Sequence, residues 1–358
     1  MHYIEIVQKL TEYTKNCICR KGILFCVLLN IIFSLILISI AKNEDILFYV
    51  EKPFVEINSL IREKIANNRN VIIVDIDETS MKHLGKWPLE RHKIAKIIDS
   101  VSLYNPRAIG IDIVFSEKSD DINDNALNIS MERAGNIVLG YVKSSNIFPF
   151  NYQERKFEIG FLDRKYDSSG KVIGLQPVIK EKELLYKAFP LVLAEKHKNK
   201  QLNMIYKKRL LRINFYGPHN TFKHYSAIEF LNKNIKDRIN GNVVILTANP
   251  IPMYLNTIFG NMSTGEVNAN IVQNIIDNSW LEFNMIIGFA IYVFSGFMLL
   301  YFLEKKKKVW VSGLSFLISF CIIDVLLFLK GVIVPMSGFI IILIINYFAH
   351  SFFLNSKN

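Results

Sequence analysis

The stretch VIIVDIDETS, residues 71–80, decides the fold. Its first four residues are apolar, and they lead directly into Asp75, Asp77 and Thr79. A short, continuous apolar run of this kind is typical of a strand buried on both faces, as in parallel sheets covered by helices. The stretch therefore predicts the first strand of an α/β domain, with carboxylates at its end.

The following segments extend this pattern. A helix is expected from Pro88, because the fixed φ of proline suits the first helical turn, and residues 108–115 return as a second strand that contains Asp112. A strand, a helix and a strand in this order predict a right-handed parallel crossover. Further helices are expected at about 121–134, 227–232 and 266–278, further strands at 136–142, 209–217 and 242–250, and an irregular insertion at 144–205. We predict an open, mostly parallel α/β sheet.

Apolar runs flank this region. The hydrophobic fraction is 51%, and four runs each approach the roughly 20 residues that a helix needs to cross a bilayer. They predict four transmembrane helices at residues 22–41, 284–303, 309–329 and 332–354. Residues 42–283 carry ordinary charge density, which indicates a water-exposed domain tethered at both ends.

The basic residues give the orientation. Lys15, Arg20 and Lys21 precede the first run, and EKKKK at residues 304–308 joins the second to the third. Short loops rich in lysine and arginine stay in the cytoplasm, so residues 42–283 are predicted to be extracytoplasmic. Residues 1–21 and 355–358 are then cytoplasmic segments of an inner-membrane protein. A cleavable signal peptide ending near Ala41 is the alternative, but its apolar core would exceed the usual length of about 7 to 15 residues.

Charge and cysteine content narrow the class of protein further. The net charge is +11, but apart from the two basic clusters that mark topology the basic residues are scattered, so no nucleic-acid partner is predicted. The cysteines are Cys17, Cys19, Cys26 and Cys321, all in or beside the expected spans. The expected extracytoplasmic domain therefore forms no disulfide and depends on packing.

Residues 74–117 resemble the signature of the type 2 CHASE domain, an extracytoplasmic sensory module of bacterial membrane signalling proteins. The positions that match are Asp75, Asp77, Ser80, Gly85, Trp87, Pro88, Arg91, Pro106, Gly110, Asp112 and Phe115. Later segments also resemble the family: a turn at residues 160–172, an inner strand at 213–217, and a closing helix at 263–276 that contains Ala269 and Asn270. The resemblance implies a sensor over nearly the whole domain, with one span before it and three after it.

Two departures from the family pattern bear on function. Asn268 stands where the family usually has a histidine beside the Ala-Asn pair, which leaves a proton-linked role at that position unsupported. Relatives generally continue into a cytoplasmic output module such as a nucleotide cyclase, a diguanylate cyclase or a protein kinase. This sequence stops at Asn358, so the resemblance implies a separate effector.

The expected ligand site lies at the carboxyl ends of the first two strands, which were expected to be neighbours, because crevices form there in open parallel sheets. Alternatives remain for each residue: an aspartate after a strand often caps a helix, Arg91 can form an internal salt bridge, and Trp87 can pack in the core. The candidate cluster is Asp75, Asp77, Ser80, Trp87, Arg91, Asp112 and Asn270.

An enzymatic alternative starts from the same aspartates, since they also resemble the nucleophile strand of haloacid dehalogenase-like phosphohydrolases. That chemistry needs a later acidic pair to anchor Mg²⁺. Thr247 supplies the hydroxyl of a second strand, but Glu266, Asp277 and Glu282 form no adjacent pair. His83 and His92 lack the i, i+4 spacing of helical metal ligands, and His219 and His224 are expected in a loop with no acidic companion at ligand spacing. We predict no catalysis, no cofactor and no metal.

The sequence thus predicts a four-span sensory receptor that detects an unknown small molecule or protein and signals to an effector in trans. A homodimer is a further expectation. The alternatives are an envelope scaffold or assembly protein, and a Mg²⁺-dependent phosphohydrolase that uses Asp75 and Asp77. Asp324, inside the third expected span, either reaches the interface or bonds a neighbouring helix.

Overall fold

The computed structural model describes six ranges: 44–61, 70–150, 156–235, 239–248, 254–288 and 309–338, plus positions 32, 290, 291, 294, 340, 341 and 344. The chain divides into two compact units. One comprises Ser59–Leu281, and the other comprises Met1–Asn58 with Glu282–Asn358.

Helices and strands alternate along the Ser59–Leu281 unit. The elements of both units are as follows. The helices are α1 (Glu44–Ile61), α2 (Glu78–Leu84), α3 (Arg91–Ser102), α4 (Asp121–Ala134), α5 (Phe189–Lys198), α6 (Asn203–Tyr206), α7 (Ala227–Leu231), α8 (Thr264–Asp277) and α9 (Val309–Leu329). The strands are β1 (Val71–Ile76), β2 (Ala108–Asp112), β3 (Ile137–Tyr141), β4 (Glu158–Phe161), β5 (Lys165–Tyr166), β6 (Val172–Leu175), β7 (Val178–Glu181), β8 (Leu184–Lys187), β9 (Leu211–Arg212), β10 (Lys223–Ser226), β11 (Val243–Ala248), β12 (Tyr254–Thr257), β13 (Gly260–Ser263), β14 (Glu282–Phe283) and β15 (Val332–Ile333).

A six-stranded sheet forms the centre of the Ser59–Leu281 unit. Its order is β10-β1-β11-β2-β3-β4, and every neighbouring pair is parallel. Smaller antiparallel sheets surround it: β5-β6-β9, β7-β8 and β12-β13. The predicted α/β class with a mostly parallel sheet is confirmed. The expectation that β1 and β2 are neighbours is wrong, because β11 pairs with both and lies between them.

The alternation of side chains along β1 creates two cores. Val71 and Ile73 pack on one face with α5 and α8, and Ile72 and Val74 pack on the other face with α3 and α4. All six residues of β1 are buried, as the apolar run predicts. The sheet is therefore the middle layer of three.

The segment expected as an irregular insertion contributes to these layers. β4 is the last strand of the central sheet, and all but the last three residues of α5 are buried. Gly160 explains the close packing of the two, because a Cβ there would lie 2.3 Å from the Cα of Phe189. The sequence interpretation missed this part of the fold, since β4 has four residues and no apolar run.

Two other expectations need correction. The expected strand at residues 209–217 is a strand only at Leu211–Arg212, where it pairs with β6 outside the central sheet. The expected helix start at Pro88 is also wrong, because α3 begins at Arg91 after a cis Trp87–Pro88 peptide. Leu89 is buried at 5% exposure and Glu90 has extended ψ, so the chain packs inward before it becomes helical.

The second unit contains most of α1, together with α9 and the parallel pair β14–β15. Among the described residues, no helix combines the length and apolarity needed to cross a membrane. The expected span at 22–41, apart from position 32, and much of those at 284–303 and 332–354 lie outside the described residues.

Candidate functional site

Parallel register places four polar side chains in one row at the carboxyl edge of the sheet. Ser226 of β10 is level with Asp75 of β1, Asp75 with Thr247 of β11, and Thr247 with Asp112 of β2. The two aspartates therefore share an edge although β11 separates their strands. The edge is where open parallel sheets form ligand crevices.

A buried ion-pair chain starts from Asp75. Nδ1 of His224 lies 2.6 Å from Oδ2 of Asp75, and Nε2 of the same ring lies 3.3 Å from Oε2 of Glu266. The side chains of Asp75 and His224 are 10% and 18% exposed, and that of Glu266 is fully buried. The imidazole thus joins β1 to the first turn of α8.

The two carboxylates determine the charge of the ring. Burial opposes protonation of His224, but the hydrogen bonds to Asp75 and Glu266 outweigh it and raise the pKa of His224 to about 9. Burial likewise opposes the charge of Glu266, yet His224 and the backbone N–H of Asn220 lower the pKa of this carboxyl. At neutral pH the site holds an imidazolium between two carboxylates, and both ring nitrogens donate.

Glu266 also fixes the loop that precedes β10. Its carboxylate accepts the backbone N–H of Asn220 at 2.8 Å and that of Thr221 at 2.7 Å. Nδ1 of His219 lies 2.7 Å from Oε2 of Glu266 but without hydrogen-bond geometry. One carboxylate therefore anchors a loop, a strand and a helix N-terminus.

Asp112 lies in a second polar cluster on the same edge. Its Oδ2 accepts from Nδ2 of Asn268 at 3.1 Å, and Oδ1 of Asn268 accepts from Nη2 of Arg164 at 3.0 Å. Burial raises the pKa of Asp112, although the charge of Arg164 and hydrogen bonds from Thr264 and Asn268 act in the opposite direction. Asn268 therefore bridges a carboxyl and a guanidinium.

Comparison with protein families shows which family the chain belongs to. The family described as CHASE2 domain matches residues 31–301, which is most of the chain. The chain belongs to the CHASE2 family. Searches among curated proteins and among solved structures find no match. A CHASE2 domain is a CHASE-type extracytoplasmic sensory domain of membrane proteins, and it is a sensory domain, not a catalytic one.

Asp77 and Ser80 have structural partners in this CHASE2 domain. Oδ1 of Asp77 accepts the backbone N–H of Ser80 at 2.8 Å and caps α2, and it also accepts from Oγ of Ser226 at 2.7 Å. The hydroxyl oxygens of Ser80 and Ser226 lie 2.9 Å apart. The geometry favours the capping interpretation of Asp77, which the sequence left open.

Arg91 is directed elsewhere. Its guanidinium binds the carboxylate of Asp124 and the carbonyl of Glu117, and it lies 4.2 Å from the ring centroid of Phe150. This is the internal salt bridge named among the alternatives. Trp87 is partly buried against the core that contains α3 and α4.

Asn270, the last of the expected cluster, holds the segment after β9. Its Oδ1 accepts the backbone N–H of Tyr216 at 2.9 Å, and its Nδ2 donates to the carbonyl of Glu266 at 2.9 Å. The structure thus brings Asp75, Asp77 and Ser80 close together and places Asp112 on the same edge. The partners of Arg91 and Trp87 lie in other parts of the domain, whereas Asn270 bonds the backbone of Glu266 and of Tyr216.

The prediction that His224 lies in a loop is wrong. His224 lies in β10, and its acidic companions are 149 and 42 positions away in the chain. The sequence shows Glu266 only as a candidate member of an acidic pair for Mg²⁺. No local spacing could reveal this cluster, because parallel pairing brings β10 beside β1 only in the folded domain. Among the described residues, no group of three or more His, Cys, Asp or Glu is placed to hold a metal ion.

Proposed function

We propose that this protein is a membrane sensory receptor whose CHASE2 domain detects a stimulus outside the cytoplasm and signals through its helices to a separate effector. The family supports the sensory role. A homodimer is part of the proposal, because receptors of this kind signal by rearranging helices.

The observation that carries the proposal is a pair of buried polar contacts in the unit formed by residues 1–58 and 282–358. Nδ2 of Asn58 donates to Oδ2 of Asp324 at 2.6 Å. The carboxylate of Glu51, which is fully buried, accepts the backbone N–H of Met336 at 2.8 Å and that of Ser337 at 3.1 Å. Both contacts hold α1 against C-terminal segments.

These contacts suit a switch. α1 continues past Asn58 to Ile61 and precedes β1 in the chain, so it is one of the two connections between the units. A buried polar group left without its partner costs about 1–3 kcal/mol, so gradual sliding of α1 is disfavoured and two discrete arrangements are favoured. Burial raises the pKa of Glu51, which its three hydrogen bonds from Ser337 and Met336 only partly offset.

The test is affinity purification of the tagged full chain from crosslinked native membranes, with quantitative mass spectrometry. We expect one kinase, cyclase or comparable effector to be enriched, and its recovery to change at least about threefold with Asn58→Leu, which breaks the contact to Asp324. Asn125→Leu on the exposed face of α4 is the matched control and leaves recovery unchanged.

Two outcomes count against the proposal. If the chain is repeatedly recovered without a partner, the proposed effector is ruled out. A stoichiometric envelope partner whose recovery is the same for wild type, Asn58→Leu and Asn125→Leu supports the scaffold alternative.

A further inference from the structure

A cleft opens between β4 and β8. Among the described residues the two segments share one parallel bridge, between Phe161 and Ala188 at their C-terminal ends, and they belong to different sheets. A cavity of about 440 Å³ lies in the opening. Its lining includes Leu139, Tyr141, Ile159, Leu185, Tyr186 and Val192. This volume is within the range of about 300–1,000 Å³ that is typical of ligand sites.

Backbone groups of both strands point into the cleft. The N–H of Leu162 donates to Tyr141 of β3 at 2.8 Å, and backbone directions alternate along a strand, so Ile159 presents its N–H and C=O away from β3. β7 and β8 form a hairpin with a two-residue turn. The N–H of Ala188 donates to the carbonyl of Pro177 at 2.9 Å, so by alternation Leu184 also faces β7. By the same alternation Leu185 presents its N–H and C=O toward β4.

We propose that this cleft binds an extended peptide segment, which inserts as a strand between β4 and β8. The proposal rests on the sensory function and names the class of its ligand. Main-chain hydrogen bonds to Ile159 on one side and to Leu185 on the other give affinity, as in other complexes formed by strand addition. The open part spans Glu158–Ile159 and Leu184–Tyr186, which accommodates about three residues, or about 10 Å of strand.

The walls of the cleft select apolar side chains. Leu184 and Leu185 are 57% and 47% exposed at its mouth, although both are large apolar residues. Covering them with a bound segment removes this area from water. The peptide is therefore expected to carry Val- or Leu-like side chains.

The charges at the rim already have partners. Lys187 pairs with Glu195 at 2.8 Å, and Glu158 pairs with Lys196 at 2.8 Å. Lys156, the third charged lining residue, pairs with Glu132 at 2.9 Å. Because every charge in the lining is balanced, the ligand needs no formal charge within the cleft.

The experiment uses the full chain in nanodiscs and fluorescence anisotropy with labelled, capped tripeptides of sequence Val-Xaa-Leu, where Xaa is varied. We expect members of the panel to bind saturably, and methylation of the Xaa amide nitrogen to weaken binding about tenfold, since one main-chain hydrogen bond is lost. Leu185→Lys is expected to weaken binding by a similar factor. Leu103→Lys, at a leucine beyond the end of α3 that is 64% exposed, is the control and leaves binding unchanged.

Ile159→Pro is a second variant, because it removes the N–H that faces the cleft from a strand that pairs with β3 through other residues. It is expected to abolish binding. Ile159→Ala loses the packing of this side chain on both cores but keeps the N–H, so it separates the lost hydrogen bond from the lost packing. Absence of saturable binding across the panel overturns the proposal. Equal affinity of parent and N-methylated peptides, or no effect of Leu185→Lys, overturns it as well.

The peptide and the sensory proposals fail separately. If no peptide binds but Asn58→Leu still changes recovery of an effector, the receptor stands and its ligand is of another class. If peptides bind and no effector is recovered, the peptide-binding proposal is kept and the signalling proposal is rejected.

Discussion

His224 is the residue on which the electrostatics of the carboxyl edge depend. Its pKa is raised to about 9 from an ordinary 6.5, so its contribution to stability is complete below pH 6.5 and is lost as the pH rises from 6.5 to 9. We expect the unfolding free energy to fall by up to about 1.4 kcal/mol per pH unit in that window. This fall in unfolding free energy is measured by thermal unfolding of the full chain between about pH 5 and about pH 9, followed by tryptophan fluorescence.

The control separates this ring from the others. His224→Gln is expected to flatten the decline above pH 6.5, whereas His83→Gln leaves it, because His83 is exposed and its ring contacts the carbonyl of Thr79 and not a carboxylate in the described residues. Glu266 acts in the other direction: its pKa is lowered, so its contribution is lost as the pH falls below the ordinary 4.5. A wild-type profile that stays level between pH 6.5 and 9 would contradict the ion-pair chain.

Asp77 distinguishes a helix cap from a catalytic group. Asp77→Ala removes the acceptor for Ser80 and for Ser226 and is expected to lower the unfolding free energy by about 1–2 kcal/mol. Asp77→Asn keeps an acceptor oxygen and is expected to lie within about 0.5 kcal/mol of wild type. Both variants are also assayed for Mg²⁺-dependent phosphoester hydrolysis. Turnover by wild type that Asp77→Asn abolishes would favour the phosphohydrolase instead.

At the scale of elements, β4 and α5 approach closely because Gly160 has no side chain. A Cβ at Gly160 would meet the backbone of Phe189, which cannot move without the helix. A Cβ at Gly110 would meet only the ends of the Leu193 and Phe189 side chains, each at 2.7 Å. Alanine at Gly160 therefore tests a contact with rigid backbone of α5, and alanine at Gly110 tests a contact with flexible side chains of the same helix.

We expect Gly110→Ala to lower the unfolding free energy by about 1–3 kcal/mol, the usual cost of overpacking, and Gly160→Ala to lower it by more. Chemical denaturation of both variants beside wild type checks the order. Gly160 and Gly110 both have φ outside the left-handed region, so backbone strain does not confuse the comparison. The reverse order would mean that β4 does not pack on α5 as described.

At the scale of the whole molecule, the proposed receptor requires residues 42–283 to face away from the cytoplasm. A phosphatase reporter fused after Lys200, which follows α5, is expected to be active, and one placed in residues 304–308 is expected to be inactive. Fluorescence of a cytoplasmic reporter at Lys200 would reverse the orientation and remove the extracytoplasmic stimulus.

The sequence by itself determined the class of the fold. The buried run at residues 71–76 and the return at 108–112 were sufficient for a parallel sheet, because a strand buried on both faces must be apolar along its length. The helix at Asp121–Ala134 was also found, since Asp120 and Gly135 mark its two ends. The CHASE2 signature at residues 74–117 could also be read from the sequence, because its residues lie close together in the chain.

Only the tertiary structure decided what touches what. The order that inserts β11 between β1 and β2, the role of β4 as an edge strand and the pairing of His224 with Asp75 and Glu266 all depend on contacts between distant segments. Short strands such as β10 and β4 carry too few residues for a period to show, and polar side chains acquire partners by register across strands. Local pattern reveals the long apolar strands and the capped helices, whereas the site forms from residues that only packing of the sheet brings together.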